Sequence, residues 1–495
     1  MDPWGKIARS SRADLRAIQN KKLAAFIRQY VYPFSPYYRE VFDRGGIKPD
    51  SIRTVEDLRA IPLTSKHDFI ASDDRPEKFK DFILQPDKEK IRRHWPAGRL
   101  LQLAGAAVFR GKEYVEDRLA REFRPSFMTF TTGTTNQPIS FVYSGYDIDN
   151  LHCSGSRMLR LFDIAGSDRI VNMFPYAPHL AFWQVVFGGL ASNALVMSTG
   201  GGKVMGTEGN ITALLKMKPS VVLGVPSFVY HVLREAKEQG RDMPFLKKIV
   251  LGAARLGEGF KEKIAELLAE MGSRDVSVFG TYGFTEARCA WAECPTAIHV
   301  SSGYHLYPDK EIFEVIDPQT GDVKGDGEDG ELVYTSIDAR GSVVLRYRTG
   351  DFVRGGITYE PCPHCRRSVP RISSDITRLS DVKDLRLSKI KGSLVNLNNF
   401  TSVLSDIKAI DEWQIELCKR HNDPFEVDEV VVYVCPKHGC DRPRLAEEIK
   451  KKIQLFTEVT PNRICFIELD DMVKRLELET ANKEKRIIDI RPKGQ

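Results

Sequence analysis

The sequence predicts an α/β protein. It has a large N-terminal domain with mainly parallel sheets flanked by helices, then a β-rich part, then a small α+β domain at the C-terminal end. Three observations carry this. The chain has 495 residues, too many for one ordinary core. From about residue 127, short apolar runs ("RIVNMF", "SVVLGVPS", "KKIVLGAA", "DVSVFGTYG") alternate with helical segments ("ITALLKMK", "FVYHVLREAKEQG", "EGFKEKIAELLAEM"), the signature of parallel strands joined by helical crossovers. After residue 310, "EIFEVIDPQTGD", "GELVYTSID" and "VVLRYRT" read as strands separated by Gly and Asp turns.

Taken in order, the first 70 residues have helical apolar spacing in "DLRAIQNKKLAAFIRQYVY", punctuated by Pro and Gly in "PFSPYYREVFDRGGIKPD". Residues 72–125 are charged and helical in pattern. "AFWQVVFGGLASNALVM" is interrupted by Gln184, Ser192, Asn193 and two glycines, and is short for a membrane span; it reads as a buried helix running into a strand. A second switch falls at 378–392, "RLSDVKDLRLSKIKG", dense in charge. Beyond it, "EWQIEL", "DEVVVYV" and "RICFIEL" are strands and "RPRLAEEIKKKIQLF" is an amphipathic helix. The expected division is 1–378 (helical 1–125, α/β core 126–310, β-rich 311–378) and 379–495.

Composition narrows the function classes. Lys plus Arg (73) exceed Asp plus Glu (67) only slightly and are scattered, so neither a nucleic-acid nor an anionic-membrane surface is indicated. The N-terminal stretch lacks the apolar region of a secretory signal. Nine unevenly spaced cysteines point to reduced thiols and a cytoplasmic protein.

Four motifs carry the chemistry. "TTGTTNQP", residues 131–138, is a hydroxyl-rich turn whose backbone N–H groups can converge on phosphate. It is not a Walker loop, since no Gly-Lys-Ser/Thr follows, and "STGGGKVMG" is not one either. "GAARLGEG" (252–259), "TYGFTEA" (281–287) and "YRTGD" (347–351) are the other three. In the third, a Tyr can stack on a purine while Thr285 and Glu286 offer the oxygens a hard cation takes. In the fourth, Asp351 can accept hydrogen bonds from vicinal ribose hydroxyls.

Together, in this order, the motifs resemble those of the acyl-adenylate-forming (ANL) superfamily, of the phenylacetate-CoA ligase type, over about residues 20–490. The resemblance implies an ATP-dependent acid:CoA ligase that forms acyl-AMP from an aromatic or acyl carboxylate and passes the acyl group to the CoA thiol. Thr131, Thr132, Gly133, Thr134 and Thr135 would hold phosphates, and Gly252, Ala253, Ala254, Tyr282 and Gly283 the adenine. Asp351 would hold the ribose, and the family's nucleotide-binding arginine upstream of "KIKG" would be Arg378, or Lys383 without a gap. Glu286 would bind Mg²⁺, with Thr285 next to it. The family's Gly-Lys in the phosphate loop is replaced by Asn136 and Gln137; Asn tolerates the left-handed turn, but a charged phosphate contact is lost.

The family carries a catalytic lysine near its C-terminus. "ANKEKRIID" offers Lys483 for it, with Lys485 as competitor. The resemblance also implies that the small C-terminal domain rotates between the two half-reactions, with Lys391 and Gly392 of "KIKG" approaching CoA. Tyr176, His179, Phe182, Trp183 and Pro226 are expected around the acyl group, and a homodimer is suggested. Cys362 and Cys365 form a C-x-x-C in a Pro-rich loop, a zinc half-site by pattern; the resemblance supplies Cys294 and His305 for a structural site, with His364 or His299 as substitutes for His305. "CPKHGC" (Cys435, His438, Cys440) is a weaker group. Two other readings stay open: adenylation with a non-CoA acceptor (a deazaflavin hydroxyl, an amine or a carrier protein), and a non-catalytic nucleotide-binding homologue.

Overall fold

The computed structural model describes residues 3–491 except 73, 132–138, 255, 380–386, 391–392, 421–427, 458 and 479–483, with the side chains of 387–399, 402 and 457 also left aside. The fold is α/β, with mixed sheets flanked by helices. The first 124 residues form short helices, among them Arg12–Phe26, Ala97–Arg110 and Lys112–Phe123. They pack Leu23, Phe34, Tyr38 and Phe82 into the largest core.

The strands of the α/β core are β1 Pro125–Phe130, β2 Ser140–Ser144, β3 Arg169–Asn172, β4 Leu195–Ser198, β5 Val221–Gly224, β6 Lys248–Leu251, β7 Ser277–Phe284, β8 Cys289–Ala292 and β9 Tyr304–His305. The β-rich part adds β10 Glu311–Ile316, β11 Gly330–Ser336, β12 Tyr347–Val353, β13 Ile357–Thr358, β14 Arg371–Ile372 and β15 Ile376–Arg378. A nine-stranded sheet runs β13-β14-β9-β8-β7-β6-β5-β3-β4. Its β4, β3, β5, β6 and β7 are parallel, and β8, β9, β14 and β13 continue it antiparallel.

The parallel half is buried on both faces, which is why its strands read as continuous apolar runs. Alternation assigns each residue a side: Ile170, Val221, Leu223 and Val250 face the core shared with the N-terminal helices, whereas Val171, Val222, Ile249 and Leu251 face the helices Pro226–Glu238 and Glu258–Glu270. The antiparallel sheet β10-β11-β12-β15 stands beside it.

The C-terminal part holds β16 Leu387–Ile390, β17 Ser393–Asn396, β18 Ile410–Lys419, β19 Asp428–Pro436, β20 Arg463–Phe466 and β21 Ile487–Asp489. The sheet β20-β19-β18-β21 and the helix Arg442–Thr457 enclose a separate core of Phe400, Trp413, Ile415, Val432 and Ile449. "AFWQVVFGGLASNALVM" forms the helix Leu180–Ala191 followed by β4. No helix among the described residues is long and apolar enough to cross a membrane.

Candidate active site

Loops at the carboxyl ends of parallel strands are where open α/β sheets hold ligands, and the motif residues gather there. The chain leaves β6 through Gly252, where a Cβ would sit 2.2 Å from the Thr281 hydroxyl. Only glycine lets this crossing pass so close to β7. Ala253 follows at φ +67, a left-handed conformation that turns the backbone back over the sheet edge.

β7 carries Tyr282 toward β12. The Tyr282 hydroxyl donates to Asp351 Oδ2 at 2.8 Å, and Arg378 Nε lies 3.2 Å from Asp351 Oδ1. Arg378 also donates to the Thr349 carbonyl at 2.9 Å. The register explains this, because β12 pairs antiparallel with β15 and sets Asp351 opposite Arg378. Gly350, at φ +71, supplies the kink that precedes Asp351. Burial, then Asp351, pushes the Tyr282 phenol well above its ordinary range, so it stays a donor. Asp351 in turn raises the Arg378 guanidinium above its ordinary value.

Thr285 and Glu286 lie on a single 3₁₀ turn, Thr285–Ala287, at the end of β7. The hydroxyl of Tyr347 donates to Glu286 Oε1 at 2.7 Å. Tyr347 begins the "YRTGD" segment, so this bond joins two motifs that are far apart in sequence. The sequence reading gave Tyr347 no role; its signal was its place at the head of the ribose motif.

The proposed phosphate loop is carried by the antiparallel hairpin of β1 and β2. Thr132, Gly133, Thr134 and Thr135, like Asn136 and Gln137, lie outside the described residues. At the hairpin's base Thr131 N–H donates to the Ile139 carbonyl at 3.0 Å and its hydroxyl accepts from Ile139 N–H at 3.1 Å. That hydroxyl therefore closes the loop. His179 reaches the same base, its Nδ1 3.0 Å from the Phe130 carbonyl; since a carbonyl only accepts, Nδ1 carries the proton.

Among the other acyl-pocket residues, Tyr176 is exposed and meets Phe182 at 5.2 Å between ring centroids, and Phe182 meets Trp183 at 5.2 Å. The buried Trp183 Nε1–H has no hydrogen-bond partner among the described residues. Pro226 opens the helix Pro226–Glu238. Its neighbours Val225 and Ser227 line a cavity with Met173, Pro175, Lys203 and Glu484, which none of the five predicted residues lines directly.

Lys483, Lys391 and Gly392 lie outside the described residues, as does Lys383. Lys485 is engaged elsewhere, pairing with Glu477 at 2.5 Å.

The cysteines of the C-x-x-C meet Cys294, just past β8, and His305 of β9. The ligand atoms of Cys294, His305, Cys362 and Cys365 all lie within 4.8 Å of one another. Cys294 Sγ is 3.7 Å from Cys362 Sγ, and Cys365 Sγ is 3.3 Å from His305 Nε2. A tetrahedral zinc with ordinary bond lengths needs about 3.8 Å between sulfurs and about 3.5 Å between sulfur and nitrogen, so the spacings fit. His305 Nδ1 points to the Ala292 carbonyl at 3.2 Å, which leaves Nε2 as the coordinating atom. Hydrogen bonding from Cys294 and then Cys365 holds the Cys362 thiol far below its ordinary range. His364 and His299 are exposed and outside this cluster. Among the described residues no second group of this kind occurs, and "CPKHGC" does not form one.

A family model described as AMP-binding enzyme matches residues 60–341, more than half of the chain. The protein belongs to the AMP-binding enzyme family. Among its curated relatives, the phenylacetate-coenzyme A ligase of Aromatoleum evansii is 26% identical across 98% of this chain and 97% of that protein. The enzyme of the same name from Thermus thermophilus is 25% identical across 91% of this chain and 92% of its own length. Among solved structures, 2-hydroxyisobutyryl-CoA ligase in its postadenylation state superposes with a TM-score of 0.73 at 18% identity, covering 98% of this chain and 92% of that one. In this AMP-binding enzyme, Tyr282, Asp351 and Arg378 form one bonded group and Tyr347 and Glu286 another.

Proposed function

We propose that this protein is an AMP-forming acid:CoA ligase acting on an aromatic or acyl carboxylate of the phenylacetate kind. In the first step a carboxylate oxygen forms a bond to the α-phosphorus of ATP and the bond to pyrophosphate breaks. In the second, the CoA sulfur attacks the acyl carbon and the bond to AMP breaks. The observation that carries this reading is the Tyr282–Asp351–Arg378 and Tyr347–Glu286 constellation at the carboxyl end of the parallel sheet. The likeness to phenylacetate-CoA ligases along almost the full chain supports it.

In this reading Asp351 takes the ribose hydroxyls, and Tyr282, Gly283 and the 252–254 turn hold the adenine. Thr131 to Thr135 surround the phosphates. Glu286, with Thr285, presents the hard oxygen ligands that suit Mg²⁺, which would neutralise phosphate charge. Lys483 approaches the α-phosphate, and Lys391 and Gly392 guide CoA, from a C-terminal domain (379–495) that rotates against the N-terminal one (1–378). Tyr176, His179, Phe182, Trp183 and Pro226 surround the acyl group. Cys294, His305, Cys362 and Cys365 hold a structural Zn²⁺, with four protein ligands leaving no open position. The reading includes a cytoplasmic homodimer.

Pyrophosphate release is the test, measured with ATP, Mg²⁺ and a panel of aromatic and short-chain acids, with and without CoA, on wild type and Lys483→Ala. Acid-dependent release that the variant abolishes, with acyl-CoA formed only when CoA is present, is the expected result. Release without consumption of thiol would move the acceptor away from CoA, and no release with any acid would overturn the proposal.

A further inference from the structure

Glu293 belongs to none of the motifs above, yet it is a buried carboxylate that accepts hydrogen bonds from three separate segments. It directly follows β8 and precedes Cys294, and its side chain is only 4% exposed. Oε2 accepts from the Gly280 N–H at 2.6 Å and from the Lys261 ammonium at 2.9 Å; Oε1 accepts from the Ser301 hydroxyl. A Cβ on Gly280 would approach both Glu293 Oε2 and the Tyr304 hydroxyl to 3.1 Å, a tight contact that a side chain there would press upon the carboxylate.

Each of the three partners belongs to a different part of the site. Gly280 stands two residues before Tyr282 on β7. Lys261 lies in the first turn of the helix Glu258–Glu270, which starts just after the 252–254 turn. Ser301 lies in the loop that joins Cys294 to His305, and the neighbouring Ser302 hydroxyl accepts from the Cys294 N–H at 2.8 Å. Lys261 is an expensive residue in this place. A buried ammonium is opposed by desolvation, and in the first turn also by the positive end of the helix dipole. Glu293 offsets both, and in doing so fixes the helix against β7.

We propose that Glu293 is a positioning residue for the nucleotide. From behind the sheet it sets the distance between the 252–254 turn and the Tyr282–Glu286 segment, and it links that distance to the loop carrying the Cys/His cluster. Nucleotide affinity then depends on an ion pair that never touches the nucleotide. This inference rests on the nucleotide reading of the site given above.

Equilibrium binding of mant-ATP, thermal unfolding and the KM for the acid in pyrophosphate release, measured on wild type, Glu293→Gln and the neutral pair Lys261→Met/Glu293→Gln, decide it. Glu293→Gln alone leaves a buried lysine unpaired and is expected to lose stability; if it does not fold, the neutral pair carries the test. That double variant is expected to unfold near the wild-type temperature, to bind mant-ATP about tenfold more weakly, and to keep the wild-type KM for the acid. A double variant that binds mant-ATP like wild type would overturn the inference. So would one in which mant-ATP affinity, acid KM and unfolding temperature worsen together, the mark of a merely structural contact. Failure of the wild type itself to bind mant-ATP would instead remove the nucleotide reading, and this inference with it.

Discussion

The two sides of the proposed site are held in different ways. On the N-terminal side, buried carboxylates are paired: Glu293, 4% exposed, with Lys261, 7% exposed, and Asp351, 8% exposed, with Arg378, 55% exposed. The described contacts of the C-terminal part with this region combine buried hydrogen bonds with an exposed ion pair. Tyr230 donates to Asp411 at 3.0 Å, Lys263 reaches the Ile410 carbonyl at 2.5 Å, and Lys408, 70% exposed, pairs with Glu262 and Glu266 at 3.4 and 3.6 Å. An exposed pair such as that of Lys408 is worth about 0 to 1 kcal/mol, whereas Lys263 is buried, and desolvation pushes its ammonium down to about 8. One side of the site is therefore held by ion pairs on buried carboxylates, while at the other the Lys408 pairs can be exchanged at small cost. In the proposed cycle the C-terminal domain rotates while the nucleotide stays put, and the Lys408 pairs are the contacts broken at least cost.

Substitutions can break the comparison, and the largest effect is expected on the fixed side. Glu286→Gln removes the carboxylate that Tyr347 orients and should lower kcat of pyrophosphate release by about 10²–10³-fold, with little change in unfolding temperature. Cys362→Ser should strip bound zinc, read by metal analysis, and cost on the order of 4 kcal/mol of stability in denaturant unfolding; a variant as stable as wild type would mean that the four residues hold no structural ion. Asp351→Ala should raise the KM for ATP by about 10- to 100-fold, because it deletes charge-assisted hydrogen bonds, while leaving the KM for the acid in place.

A pH measurement sharpens the same side. Glu311 accepts from the Trp291 indole N–H at 2.6 Å and the Tyr307 N–H at 2.8 Å, and burial raises its carboxyl from 4.5 to about 8. The folded protein therefore holds this proton over a range in which the unfolded chain has released it. Stability from this group is complete below about pH 4.5 and is lost as pH rises through about 8, at no more than about 1.4 kcal/mol per pH unit. Glu311→Gln should flatten that fall in unfolding temperatures measured between pH 5.5 and 8.5; an unchanged slope would place its origin elsewhere. The smallest effect belongs to the seam, where Lys408→Ala should change stability by less than about 0.5 kcal/mol. A loss of several kcal/mol there would show that the two sides are equally fixed and end the comparison.

Much of this architecture was legible in the chain because it follows from local rules. Alternation of short apolar runs with amphipathic segments announced the parallel half of the large sheet, since strands buried on both faces must be apolar throughout. Gly350 and Gly252 stood in their motifs because a positive φ strains a side chain at the first and a 2.2 Å approach leaves no room for one at the second. The C-x-x-C spacing marked half of the Cys/His cluster, as two cysteines in one turn must lie close together. These are properties of neighbours along the chain.

Pairings across the fold were a different matter. That Arg378 stands opposite Asp351 depends on the β12–β15 register. That Tyr347 reaches Glu286, 61 positions away, and that Glu293 joins Lys261 to Gly280, depends on how two sheets and a helix pack. A single carboxylate in a sequence has no periodicity to betray its partner, and a buried ion pair is specified only once desolvation forces each charge to find the other. The sequence by itself determined the order of the elements and the chemical kinds of group at the site; tertiary structure alone decided which of them touch.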